Sequence, residues 1–174
     1  MATLLDAYEA ILIFLETGGD VLTIIGVTIL VMWTLILERV WFFQTQYRAN
    51  RRRTLAHWQG RADRKSWCAL RIRQALISRC KQSLTATLPL IQALVAICPL
   101  LGLLGTVTGM IEVFSSISLV GTGNARVMAS GVSKATIPTM AGMVGALSGL
   151  FAITYLKRFA QRESELIEDR LTID

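Results

Sequence analysis

The chain has 174 residues, 53% of them hydrophobic and 17% charged, with a formal net charge of +6 and a mean hydropathy of +0.51. A water-soluble domain of this length would carry roughly one quarter charged residues, and the apolar excess excludes a disordered or collagen-like chain. Three cysteines without paired spacing exclude a disulfide-stapled mini-domain. The positive charge would suit a nucleic-acid binder, but its placement along the chain points elsewhere.

Residues 1–18 hold acids and no base. Leu4, Leu5, Tyr8, Ile11, Leu12 and Leu15 recur at helical spacing, with Asp6, Glu9 and Glu16 between them. This predicts an amphipathic helix, lying either on the outer membrane surface or against another protein. The stretch lacks a basic n-region and a small-residue cleavage site, so it does not read as a cleaved leader. Residues 19–41 read as a first transmembrane helix. Its centre, Val21–Leu37, carries no charge, and Trp33, Trp41, Phe42 and Phe43 supply an aromatic anchor near its inner end.

Residues 42–87 form a basic segment. Arg48, Arg51, Arg52, Arg53, Arg61, Arg64, Lys65, Arg71, Arg73, Arg79 and Lys81 fall here with a single acid, Asp63. Leu55, Trp58, Ala62, Leu70, Ile72, Leu76 and Ile77 are spaced as on a helix, with Gly60 a break. The positive-inside rule makes this segment cytoplasmic. Next to a span, such a cluster suits anionic lipid headgroups rather than nucleic acid. His57 reads as a surface residue, and Cys68, Cys80 and Cys98 lack C-x-x-C spacing.

Residues 88–120 read as a second transmembrane helix, 121–130 as a periplasmic loop, 131–156 as a third transmembrane helix and 157–174 as a cytoplasmic tail. The charge-free run Gln82–Ile111 would make roughly 45 Å of helix, against about 30 Å of hydrocarbon, so it must project beyond the membrane. The expected fold is all-α: a three-span transmembrane protein, N-terminus out and C-terminus in, whose long second and third helices extend into the cytoplasm.

The second and third spans carry the motifs. Gly102, Gly105 and Gly109 form one strip of small residues, and Gly142, Gly145 and Gly149 form another. Such strips let helix backbones approach closely in lipid, with each other or with copies of themselves. Thr106 and Thr139 lie within these strips. A hydroxyl there either bonds a carbonyl one turn back or offers a polar lining for a path through the membrane. Pro99 and Pro138 can each bend a helix and free a carbonyl.

An ionisable residue within a span is a functional candidate, and Glu112 and Lys134 are the two. If Thr106 and Thr139 share a depth, Glu112 lies about 9 Å further out and Lys134 about 7.5 Å. The two are then level enough to pair, within a subunit or between neighbours. The alternative is that both snorkel to the interface. No span holds Asp or His near its centre. Proton conduction would therefore need a carrier from another chain. The sequence holds no phosphate loop, catalytic triad or metal cluster, so no enzyme active site, metal or cofactor is expected.

The run Leu101-Gly102-Leu103-Leu104-Gly105-Thr106-Val107-Thr108-Gly109-Met110 resembles the second-span signature of the MotA/TolQ/ExbB proton-channel family. The run from Gly131 to Gly142 is similar to its third-span signature, G-[IV]-[SA]-E-A-L-x-x-T-x-x-G. The resemblance covers roughly residues 95–156 at motif level, and the three-span plan extends it to the whole chain. It is most like a short ExbB of a TonB system. The resemblance implies a bacterial inner-membrane protein, a homo-oligomer (a pentamer) enclosing single-span ExbD-type partners that carry the protonatable Asp. It also implies a TonB-type protein that delivers the work to outer-membrane uptake. Thr106 and Thr139 match the threonines that line the central cavity and face that Asp. The alternatives are a TolQ-like motor for envelope maintenance, or a non-conducting scaffold for single-span partners. The chain departs from the pattern at Lys134, where the family usually has Glu, and at Thr136, where it has Leu. Glu112 is the residue placed to neutralise Lys134.

Overall fold

A computed structural model describes residues 2–45, 66–120 and 125–170. The side chains of the N-terminal apolar stripe and the basic residues from Arg48 to Lys65, with His57 and Gly60, lie outside the described residues. All regular structure among the described residues is helical: α1 (Ala2–Gln44), α2 (Trp67–Thr85), α3 (Leu88–Val120) and α4 (Ala125–Arg170). Three stretches, Gly18–Gln44, Trp67–Ser118 and Gly131–Arg170, are long and apolar enough to cross a membrane. Less than a third of each apolar stretch is buried within the chain. The outward remainder carries large side chains such as Leu30, Leu100, Phe114, Met140 and Phe151, as helices in apolar surroundings do.

The breaks between helices have local causes. In α1, Gly19 holds φ 66° and ψ −166°, so the helix is interrupted there. A positive φ with extended ψ is open to glycine and strained for any side chain. Between α2 and α3 the chain turns at residues 86–87, and the Ile91 amide restarts the ladder on the Thr87 carbonyl at 3.2 Å. Pro89 stands in the first turn of α3, where its missing N–H costs nothing. Helix α4 begins at Ala125, six residues before the expected start of the third span.

The buried residues of α3 follow intervals of three and four: Leu88, Ile91, Val95, Cys98, Gly102, Gly105, Gly109 and Val113. Most of those of α4 do the same through Ala135, Pro138, Gly142, Gly145, Gly149, Ile153, Leu156 and Ala160, with Ala146 buried beside Gly145 as an addition to the row. A repeat close to 3.5 residues keeps one face of each helix buried, turn after turn.

The described residues form two compact units. The first takes the α1 residues up to Met32, residues 93–120 of α3 and residues 125–149 of α4. Its α3 and α4 parts run antiparallel in tight register. A Cβ added at Gly109 would lie 2.7 Å from the Ala135 Cα, one at Gly102 would lie 2.9 Å from the Thr139 Cα, and one at Gly142 would lie 2.5 Å from the Cys98 carbonyl oxygen. Helix α1 closes the unit: Ile29 covers Gly145 and Met32 covers Gly149. Larger residues on these strips would force the backbones apart, which is why the small-residue pattern exists.

The second unit takes residues 33–45 with the end of α1, residues 66–92 with α2 and the start of α3, and residues 150–170 of α4. Its core is Ile36 and Phe43 of α1, Ala69 and Leu84 of α2, Leu88 and Ile91 of α3, and Ile153, Leu156, Ala160 and Ile167 of α4. The Phe43 and Phe159 rings pack with centroids 5.1 Å apart. The Arg73 guanidinium donates to the Glu168 carbonyl at 3.0 Å, and the Lys157 ammonium donates to the Gln92 side-chain oxygen.

Candidate functional site

The first unit holds every residue that the motifs single out. Gly102, Gly105 and Gly109 on α3 face Thr139, Pro138 and Ala135 on α4, so both strips meet on one seam. Gly142 continues it, against the Cys98 carbonyl oxygen and the Gly102 Cα. Gly145 faces Ile29 of α1, and Gly149 faces both Met32 of α1 and Val95 of α3, so the second strip is shared between two neighbours.

The two threonines behave differently. The Thr106 hydroxyl donates to the Leu103 carbonyl of its own helix at 2.7 Å. The Thr139 hydroxyl donates across the seam to the Gly102 carbonyl at 2.9 Å. Both side chains are half-buried. Thr106 thus takes the local back-bond, and Thr139 bonds across to the other helix.

Lys134 Nζ lies 2.8 Å from Glu112 Oε2, joining α4 to α3 within one chain. Lys134 is 39% exposed and Glu112 62%. The stem of Lys134 passes the break in α1, where a Cβ on Gly19 would lie 3.8 Å from the Lys134 Cε. Three features that are remote in sequence (the α1 break, Glu112 and Lys134) therefore meet at one end of the glycine seam.

The second unit contains a residue that sequence reading did not single out. Arg39 is 4% exposed, the one buried charged residue among those described. Its guanidinium donates to the Ser83 carbonyl in the last turn of α2 and stacks 4.8 Å from the Phe42 ring centre and 5.1 Å from that of Phe43. A cation at a helix C-terminus is favoured by the exposed carbonyls, and ring faces offset part of its desolvation. The signal was present in the sequence: Leu22, Ile25, Ile29, Met32, Ile36, Arg39 and Phe43 recur at intervals of three and four, placing Arg39 on the apolar stripe of α1.

Fold and site together define a polytopic helical membrane protein built on a glycine-tight antiparallel hairpin with hydroxyls along its seam. The pattern of the MotA/TolQ/ExbB proton channel family matches residues 43–169, and the chain belongs to that family. It is 43% identical over 70 residues to the biopolymer transport protein ExbB-like 1 of Synechocystis sp., a match covering 38% of this chain and 28% of that protein. It is 41% identical over 78 residues to ExbB-like 3 of the same organism, covering 41% of this chain and 37% of that protein. It is 31% identical over 97 residues to the Tol-Pal system protein TolQ of Pseudomonas aeruginosa, covering 56% of this chain and 41% of TolQ. Each match spans less than half of the relative's own length.

Proposed function

We propose that the chain is the ExbB-type subunit of a proton-driven motor in the bacterial inner membrane, multi-pass, with its N-terminus periplasmic and its C-terminus cytoplasmic. Copies of it assemble as a homo-oligomer, a pentamer by the resemblance, around an ExbD-type single-span partner. The proton-motive force then drives a movement that a TonB-type protein passes to outer-membrane uptake. The observation that carries this reading is the pair of half-buried hydroxyls, Thr106 and Thr139, on a seam whose middle holds no titratable side chain among the described residues. A half-buried hydroxyl such as that of Thr106, whose hydrogen is already donated, can accept from a proton carrier but cannot hold the charge itself, so the titrating group belongs to a partner. Membership of a proton channel family supports the same reading. The basic segment meets anionic lipid on the cytoplasmic side.

The likeness to TolQ favours one second reading, in which the same motor serves envelope maintenance. A non-conducting scaffold for single-span partners is the rival of a different class.

The test is co-purification with a candidate ExbD-type partner, followed by proton flux in liposomes. Partner-dependent flux that is lost in Thr106→Val supports conduction. A stable complex without flux, or flux indifferent to Thr106→Val, supports the scaffold. Whether energised nutrient uptake or envelope integrity fails on deletion separates the ExbB and TolQ roles.

A further inference from the structure

We infer that Thr139 is a positioning residue: its hydroxyl holds the turn of α3 that presents Thr106, an inference that rests on the conduction reading above. Thr106, Thr108, Ser116, Ser118, Thr136, Ser148 and Thr154 all donate to carbonyls three or four residues back on their own helix. Thr139 departs from this habit and reaches the other helix, at Gly102. A carbonyl oxygen has no proton to give, so the Thr139 hydroxyl is the donor and its hydrogen is committed there.

The acceptor is what makes the bond specific. In an α-helix the Gly102 carbonyl also receives the amide of the residue four positions on, which is Thr106. A carbonyl oxygen has two lone pairs and takes both donors. The atom gripped by Thr139 is therefore the atom that closes the helical turn ending at Thr106. The grip has little slack. A Cβ at Gly102 would sit 2.9 Å from the Thr139 Cα and 3.1 Å from the Pro138 carbonyl oxygen. Pro138, the residue before, is fully buried against Gly105, and its ring holds its own φ fixed. The short, stiff segment Pro138-Thr139 on α4 thus sets the position of Gly102-to-Thr106 on α3.

Four forms of the chain, each purified with the ExbD-type partner, test this: unmutated, Thr106→Val, Thr139→Val and the double variant, with Thr139→Ser as the conservative rescue. Proton flux in liposomes and the melting midpoint of each complex are measured. Valine keeps the shape of threonine and loses the hydroxyl. Thr139→Val should lower the melting midpoint by roughly 2–4 °C and reduce flux, and Thr139→Ser should restore both. Thr106→Val should reduce flux and leave the midpoint unchanged. Because Thr139 acts through Thr106, the double variant should conduct no less than Thr106→Val alone.

Flux losses that multiply in the double variant would overturn the inference, since two independent lining groups behave that way. An unchanged midpoint in Thr139→Val, or a serine variant that restores neither property, would overturn it as well. Should Thr139→Val fail to assemble while Thr139→Ser assembles and conducts, the inference stands on the rescue. Absence of flux in the unmutated complex would refute the conduction reading instead, and the midpoints would still decide whether Thr139 grips Gly102.

Discussion

Glu112 and Lys134 meet at 2.8 Å with much of both side chains exposed, 62% and 39%. In water such a pair contributes at most about 1 kcal/mol, and its side-chain entropy cost and ionic screening reduce that further. In the less polar surroundings that the proposed membrane placement implies, an unmatched charge costs more than the pair gains. The exchange Glu112→Lys with Lys134→Glu should therefore recover most of the melting midpoint and assembly lost in either single variant. A swap no better than the singles would show that the 2.8 Å contact carries no coupling. The pair also bears on the departure at Lys134 from the motif that the sequence resembles: Glu112 on the facing helix balances its charge. The threonines illustrate what residue spacing cannot decide. Both strips and both hydroxyls were legible in the sequence, but nothing in the spacing separated a bond to Leu103 from a bond to Gly102. That choice depends on which face of α4 meets α3.

Among the elements, the seam between α3 and α4 tolerates little change, whereas parts of α1 tolerate much. Gly142→Ala would place a methyl 2.5 Å from the Cys98 carbonyl oxygen, a backbone atom that cannot step aside. A cost of about 1–3 kcal/mol is expected, read as a lowered midpoint in detergent. Gly26 on α1 has nothing within 4 Å of an added Cβ, so Gly26→Ala should be neutral or gain up to about 1 kcal/mol from helix propensity. If both substitutions behave alike, the seam does not depend on close approach. Arg39 is the element-scale test in the second unit. Arg39→Ala removes the donor to the Ser83 carbonyl and opens a cavity beside Phe43, for which about 2–4 kcal/mol is expected. Arg39→Met keeps most of the volume and should cost less, and equal losses would show that the hydrogen bond outweighs the packing.

Across the whole molecule, the proposed orientation makes the accessibility of its thiols a measurement of topology. Cys68 is exposed on α2, Cys80 is half-buried, and Cys98 is buried in α3. A membrane-impermeant maleimide should label Cys68 in inverted vesicles and not in intact spheroplasts, and should leave Cys98 unmodified until the protein is denatured. Labelling of Cys68 from the outside would reverse the proposed orientation. The outward-facing apolar residues make a related demand on the assembly. With less than a third of each apolar stretch buried within the chain, lipid or further subunits must cover the rest.

The sequence by itself determined the helical class, the three apolar stretches and the positions of the glycine strips. All of these follow from composition and from period: charge is excluded from hydrocarbon, and small residues recur where backbones must approach. It also placed Glu112 and Lys134 level enough to pair, leaving open whether they pair within a subunit, between neighbours or not at all. Tertiary structure alone decided the register of α3 against α4, and so brought Glu112 to Lys134 and Thr139 to Gly102. It also decided that Arg39, one basic residue among eighteen, is the one buried among those described. The physical reason is range. Periodicity reports which face of a helix is buried, but a partner across the seam is set by contacts between residues 22 or 37 positions apart, which no local pattern encodes.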